Sequence, residues 1–174
     1  MKINTRQLVV KSVKPDGFFC GYASVFNVID QDNDVILPGA FTKSLARWSD
    51  KGQLPKMLWQ HDVKQPIGIW HEVFEDKYGL YVSGQLLLDL PIGRNALSLM
   101  QAGAIDSLSV GFLNKKSTIN RQRNQRHIRE AELCEISLVT FPANEAARII
   151  NRKASQTQLI TAVKKLTNKI KSAT

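Results

Sequence analysis

The sequence predicts a mainly β fold with helices (α+β), and three observations carry that reading. Several short segments are rich in aromatic and β-branched side chains and bounded by Gly, Pro or Asp. One of them, Gly79 to Leu88, shows period-two alternation, with Leu80, Val82, Gly84 and Leu86 set against Tyr81, Ser83, Gln85 and Leu87. Apolar residues at helical spacing are confined to two or three short stretches.

Taken in order, Leu8-Val9-Val10 with Val13 suggests a first strand, and Pro15-Asp16-Gly17 a turn. Phe18 to Phe26 reads as a second strand, so the two look like a hairpin. Asp30-Gln31-Asp32-Asn33-Asp34 is an acidic loop. An EF-hand would need glycine at its sixth position and glutamate at its twelfth, and Val35 and Phe41 stand there instead. Phe41, Leu45 and Trp48 predict a short amphipathic helix. Gly52 and Pro55 break the chain before an apolar strand, Met57-Leu58-Trp59, that runs into Gln60-His61-Asp62. Pro66-Ile67-Gly68 predicts another turn, and Ile69 to Phe74 and Gly79 to Leu88 two strands joined at 76–79. Asp89-Leu90-Pro91 starts a helix whose apolar face is Ala96, Leu97, Leu99 and Met100, with Gly103 as its C-terminal cap. Asp106 to Phe112 forms a strand, 114–126 a polar basic loop, and Ile128 to Phe141 a strand stopped by Pro142. Ala143 to Ile150 is expected to begin a helix. Beyond it, Ser155 to Gln158 fits a capping box, and Leu159, Val163, Leu166 and Ile170 make one helical face. Residues 1–150 therefore read as one domain and 151–174 as a basic amphipathic helical tail.

The chain has 174 residues and a formal net charge of +9. The excess is local. From Arg152 onward every charged residue is basic, and Lys115, Lys116, Arg121, Arg123, Arg126 and Arg129 form a second basic stretch. Such runs are either solvated surface or an electrostatic contact with an acidic partner. No apolar run is long enough to span a membrane, and no apolar stretch follows the basic start as it would in a signal peptide, so synthesis in the cytosol is expected. Cys20 and Cys134 make neither a disulfide framework nor a metal-ligand pattern.

Three histidines limit the choice of a general base. His127 lies in the basic stretch and His71 inside a strand, whereas His61 ends an apolar strand just before a turn. Asp62 is a poor partner for it, because neighbours in extended chain point to opposite sides. Glu135 is a better one: flanked by Cys134 and Ile136 in an apolar strand, its carboxylate needs a partner. Ser107 and Ser109 share a strand face, so alternation does not separate them. Gly111, two residues after Ser109, favours Ser109, because glycine lets a substrate carbonyl approach the backbone and can free an N–H for an oxyanion. Cys134 is a weaker alternative nucleophile in surroundings that raise a thiol pKa.

At these residues the chain resembles the HK97-type phage prohead (procapsid maturation) proteases. Trp59-Gln60-His61-Asp62 with Pro66-Ile67-Gly68 is similar to their histidine motif, and Ser107-Leu108-Ser109-Val110-Gly111-Phe112 to their serine motif. The run from Glu135 to Asn144 is similar to a third, and Asp34 to Phe41 to a further segment, so the resemblance covers roughly Gly17 to Ala147. It implies an assemblin-like β-barrel core surrounded by short helices. It implies a serine endopeptidase with Ser109 as nucleophile, His61 as base and Glu135 in place of the assemblin's second histidine, and no metal or cofactor. Phe112-Leu113 stand where assemblins carry the arginine pair that serves the oxyanion. The implied substrates and partners are major capsid protein and scaffold, met inside an assembling procapsid in the host cytoplasm, with a homo-oligomer open. A catalytically silent scaffold-binding protein is the alternative. A nucleic-acid-binding module is the third reading, but the basic stretch lacks interleaved aromatics for stacking bases.

Overall fold

The computed structural model describes residues 13–150. The expected strand at Leu8-Val9-Val10, the capping box at Ser155 and the helical face Leu159, Val163, Leu166 and Ile170 lie outside the described residues.

Eight strands and two helices make up the described chain: β1 (Phe18–Val25), β2 (Asp34–Ile36), α1 (Thr42–Asp50), β3 (Lys56–Trp59), β4 (Asp62–Glu75), β5 (Gly79–Leu86), α2 (Pro91–Gln101), β6 (Ser107–Asn120), β7 (Gln125–Val139) and β8 (Ile149–Ile150). All eight strands belong to one sheet, a half-barrel with the order β2-β7-β3-β4-β5-β1-β8 and β6 added to β7. The long β7 organises it. β6 runs antiparallel along its whole length, so β2 and β3, both parallel to β7, must share its other edge. Phe19, Phe41, Met57, Ile67, Leu80, Met100, Leu108 and Ile136 are fully buried in a single core cluster. Area removed from water at these positions is the main favourable term holding the sheet and helices together.

The helices close the core from outside. α1 is seated by Ser44 Oγ, which accepts from the Leu133 N–H (2.9 Å), and by Trp48 Nε1, which donates to the Leu133 carbonyl (2.9 Å). α2 begins with Pro91, whose missing N–H costs nothing in a first turn, and Gly103 (φ 73°) follows its C-cap in the left-handed conformation.

The structure departs from the sequence reading at three places. The expected loop over 114–126 is a β-hairpin arm in which β6 and β7 continue as strands and only 121–124 turn. Both are polar there because the arm is solvated. Pairing with each other, not burial, defines them. The expected turn at Pro66-Ile67-Gly68 lies within β4, which runs unbroken from Asp62 to Glu75; Pro66 fits because the β3–β4 register is irregular opposite Leu58. No helix starts at Ala143. Asn144 holds a turn there, accepting from the Ala146 N–H (3.1 Å) and donating to the Val25 carbonyl (2.9 Å), and the chain then enters β8 against β1.

Candidate active site

β3 and β4 are joined by two residues, Gln60 and His61, between the paired Trp59 and Asp62. Both have positive φ, 53° and 62°. A two-residue hairpin with two left-handed centres suits the twist of its strands, but Asn and Gly usually fill it. Two side chains with Cβ atoms in this conformation cost about 1–2 kcal/mol each. The end of β7 holds the turn in place. The Gln60 N–H donates to the Leu138 carbonyl (2.9 Å) and the His61 N–H to Ser137 Oγ (3.2 Å). The Gln60 amide pairs twice with Thr140, donating to its hydroxyl (2.8 Å) and accepting from its N–H (3.1 Å).

This turn brings the His61 ring to Glu135. Nδ1 and Oε1 are 2.6 Å apart, with the carboxylate largely covered (12% exposed) and the imidazole half open (44%). Glu135 Oε2 accepts from Ser137 Oγ at 2.5 Å, so both carboxylate oxygens are engaged. A carboxylate on Nδ1 favours the tautomer with its proton there, leaving the Nε2 lone pair to accept a proton. Asp62 is turned away to local partners, the Gln65 amide (2.5 Å) and the Lys64 N–H (2.9 Å), and these two bonds hold its carboxyl below the usual range. Of the two acids weighed from sequence, Glu135 is the one the fold places on His61.

Ser109 lies on β6, directly opposite Ser137 of β7, and Gly111 lies opposite Glu135. Directly paired residues share a face, so Ser109, Ser137 and Glu135 stand on one side of the sheet. Ser109 is 6% exposed, and its hydroxyl makes no hydrogen bond among the described residues, to His61 included. It borders a cleft of about 440 Å³ between β6, β1 and the 30–34 loop. Ser107 is engaged elsewhere: its hydroxyl donates to Asp106 (2.8 Å) and accepts from Arg148 (2.7 Å). His127 reaches only Gln125, at 3.5 Å, and His71 stacks on Phe18. Cys134 is exposed, at the point where the β6–β7 register skips it between Glu135 and Leu133, so Glu135 is not flanked by two buried apolar residues as the sequence suggested.

The glycine after the serine also makes room for the acid. A Cβ at position 111 would lie 2.2 Å from Glu135 Oε1. Gly111 therefore leaves the room in which the carboxylate reaches His61. The Ser137 hydroxyl, linking the His61 backbone to Glu135, was not singled out from sequence. Its position two residues after Glu135 on the same strand face was the available signal.

A family model for the Caudovirus prohead serine protease matches residues 6–161. The chain belongs to this family. It is 41% identical over 140 residues to the prohead protease of Enterobacteria phage HK97, covering 79% of this chain and 61% of that protein, and so spans about three-fifths of the relative's length. Among solved structures, the bacteriophage T4 capsid assembly protease aligns with a TM-score of 0.55 at 14% identity, over 70% of this chain and 82% of that one. This likeness shows a shared fold. The KSHV protease in complex with a hexapeptide phosphonate inhibitor aligns at 0.49 and 13%, over 76% and 63%. The family match passes residue 150, where the sequence suggested that the first domain ends.

Proposed function

We propose that this prohead protease family member is a serine endopeptidase that cleaves scaffold or major capsid protein as the procapsid matures in the host cytoplasm. The observation that carries the reading is the 2.6 Å contact between His61 Nδ1 and Glu135 Oε1, one strand away from Ser109 on the same face. Ser109 Oγ attacks the scissile carbonyl, and His61 Nε2 takes its proton and returns it to the leaving amine. Glu135 fixes the tautomer and stabilises the imidazolium. Water then attacks the acyl-enzyme by the same route. These side chains carry the whole cycle, and no step calls on a cofactor.

The substrate enters as an extended strand. β7 is the only strand that pairs β6 among the described residues. Leu108 spends its outward N–H on the Ala147 carbonyl (3.1 Å), whereas 109–114 line the cleft beyond it. A free strand edge beside a nucleophile can receive a peptide by main-chain pairing. Residues 151–174 are proposed as a separate basic tail that brings the enzyme to an acidic surface on scaffold, capsid or a second copy.

Co-expression with the neighbouring capsid protein, read by intact mass, tests the proposal. Wild type should yield shortened capsid or scaffold chains and Ser109→Ala none. Ser107→Ala should retain at least partial activity. A dead Ser107→Ala beside an active Ser109→Ala reverses the assignment.

A further inference from the structure

The β6–β7 arm carries charge that the domain does not use. From Asn114 to Arg129 the chain has six cations and no acid. Arg126 is spent on Asp34 through a two-pronged ion pair, Nε to Oδ1 at 2.6 Å and Nη2 to Oδ2 at 2.5 Å. Lys116 reaches Glu130 at 3.4 Å, an acid already held by Lys43 at 2.8 Å, and Lys115 acts on Glu132, which is paired with Arg47. Arg129 donates to the Thr118 hydroxyl (3.3 Å). Arg121 and Arg123 stand in the 121–124 turn, exposed and with no ion pair among the described residues. Basic residues often blunt an open strand edge against pairing with other chains. That accounts for Lys115, Lys116 and Arg129 but not for Arg121 and Arg123, because a turn has no edge to protect.

A second observation, independent of the charge, gives the arm its place in the reaction. Leu113, Asn114 and Arg126, at the base of the arm, line the cleft that Ser109 borders. β6 runs unbroken from that cleft into the arm, and β7 is its only partner among the described residues, so its other edge stays open along the arm. A peptide paired beside Ser109 therefore continues onto the arm, both chains advancing about 3.3 Å per residue. Arg121 is twelve residues beyond Ser109 and stands beside substrate about that far from the scissile bond. The class of that substrate follows from the side chains. Leu113 and Ile119 are exposed, 58% and 72%, and no Phe, Tyr or Trp stands from 113 to 129. Single-stranded nucleic acid calls for aromatic platforms, and a duplex is held chiefly through phosphates, which offer these aliphatic groups nothing. Cations interleaved with aliphatic side chains suit an acidic, partly apolar polypeptide.

We propose that the β6–β7 arm is an exosite that binds an acidic, partly apolar stretch of the substrate polypeptide, remote from the scissile bond. The inference rests on the serine endopeptidase reading and deepens it. The arm selects intact protein over short peptides, because only a long substrate reaches from Ser109 to Arg121 and Arg123.

Co-expression with the neighbouring capsid protein, read by intact mass, locates the cut, and a peptide of about four residues on either side of it is then made. The full chain is assayed on the intact protein and on this peptide. Arg121→Gln combined with Arg123→Gln should lower kcat/KM on the intact protein by roughly three- to thirtyfold, chiefly through KM, since exposed ion pairs are individually weak. The same variant should cleave the short peptide within about twofold of wild type, by the same estimate of exposed pairs. Arg121→Lys combined with Arg123→Lys keeps the charge and should restore most of the loss. Should the glutamine pair disturb the turn, Ile119→Ser gives the same comparison from a strand position. Equal losses on both substrates, or none on either, overturn the exosite and leave the peptidase reading intact. Lost binding of random-sequence duplex DNA, with cleavage of intact protein unchanged, overturns it in favour of nucleic acid. Failure to cleave either substrate overturns both readings together, whether or not a fluorophosphonate labels Ser109.

Discussion

Gly111→Ala is the smallest change that should disable the site, because it adds one methyl group where Glu135 already is. The new Cβ would lie 2.2 Å from Oε1 and 3.0 Å from both Cγ and Cδ of Glu135. Ordinary contact for such atoms is about 3.5 Å, so the carboxylate must retreat by more than about 1 Å. A shift of that size stretches the 2.6 Å bond to His61 beyond hydrogen-bonding range. A misplacement of about 1 Å costs roughly a hundredfold in rate, and the loss of a correctly acting orienter up to roughly ten thousandfold. We expect kcat to fall within that range while KM changes little, since the substrate edge of β6 is untouched. Peptide hydrolysis measures the rates, and thermal melting checks the fold. Glu135→Asp, one methylene shorter, should partly rescue Gly111→Ala although it is itself harmful, giving a coupling in a double-mutant cycle. A Gly111→Ala enzyme within threefold of wild type would show that the strand yields at the irregularity after Gly111, and would refute the steric reasoning.

Glu135→Gln should lower turnover by on the order of a hundredfold or more with little change in melting temperature, because an amide can still bond to the ring but stabilises the imidazolium less; equal turnover removes Glu135 from the site. Truncation after Ile150 should leave a folded domain that a serine-directed phosphonate still labels, yet reduce packaging into procapsids; a collapse in melting makes the tail structural. Asp30→Asn should raise the melting temperature at pH 7, measured by calorimetry across pH. Burial, and then the neighbouring Asp34 and Asp32 charges, raise this carboxyl's pKa against the two N–H groups that lower it, so the folded state holds the proton more tightly than the unfolded one. Ionisation therefore costs stability in full above the folded pKa, and the cost disappears as pH falls below the unfolded value of about 3.9. The gain should vanish there, and a lower melting temperature at pH 7 would contradict it.

The pairing of His61 with Glu135 was legible in the sequence because it rests on residue types whose needs do not depend on distant context. His61 was preferred among three histidines for its place at a strand end before a turn, and Glu135 over Asp62 because extended neighbours diverge and a covered carboxylate needs a partner; the family resemblance supplied the roles. The support around them was not legible. A Gln-His pair carries none of the Asn or Gly signals of a left-handed hairpin, since Leu138, Ser137 and Thr140, far along the chain, supply what holds it. The 114–126 arm was hidden for a related reason. Its two strands are defined by register with each other, and a solvated ribbon shows no burial pattern. Pro66 and Gly68 sent a real local signal that sheet pairing overrode.

The strained turn and the buried acid are parts of one device. Two left-handed residues cost about 2–4 kcal/mol together. The four bonds from Gln60 and His61 to Ser137, Leu138 and Thr140 return about 1 kcal/mol each, so the turn is stable only against this stretch of β7. Glu135 is on the same stretch, and Ser137 serves both sides, accepting from the His61 N–H while donating to the Glu135 carboxylate. A displacement of β7 at this point would thus carry base and acid together and preserve their 2.6 Å contact. Ser109 belongs to β6 and is tied to the pair only through the β6–β7 register. The adjustable distance in this site is therefore the one between nucleophile and base, which a peptide laid along the β6 edge is placed to set.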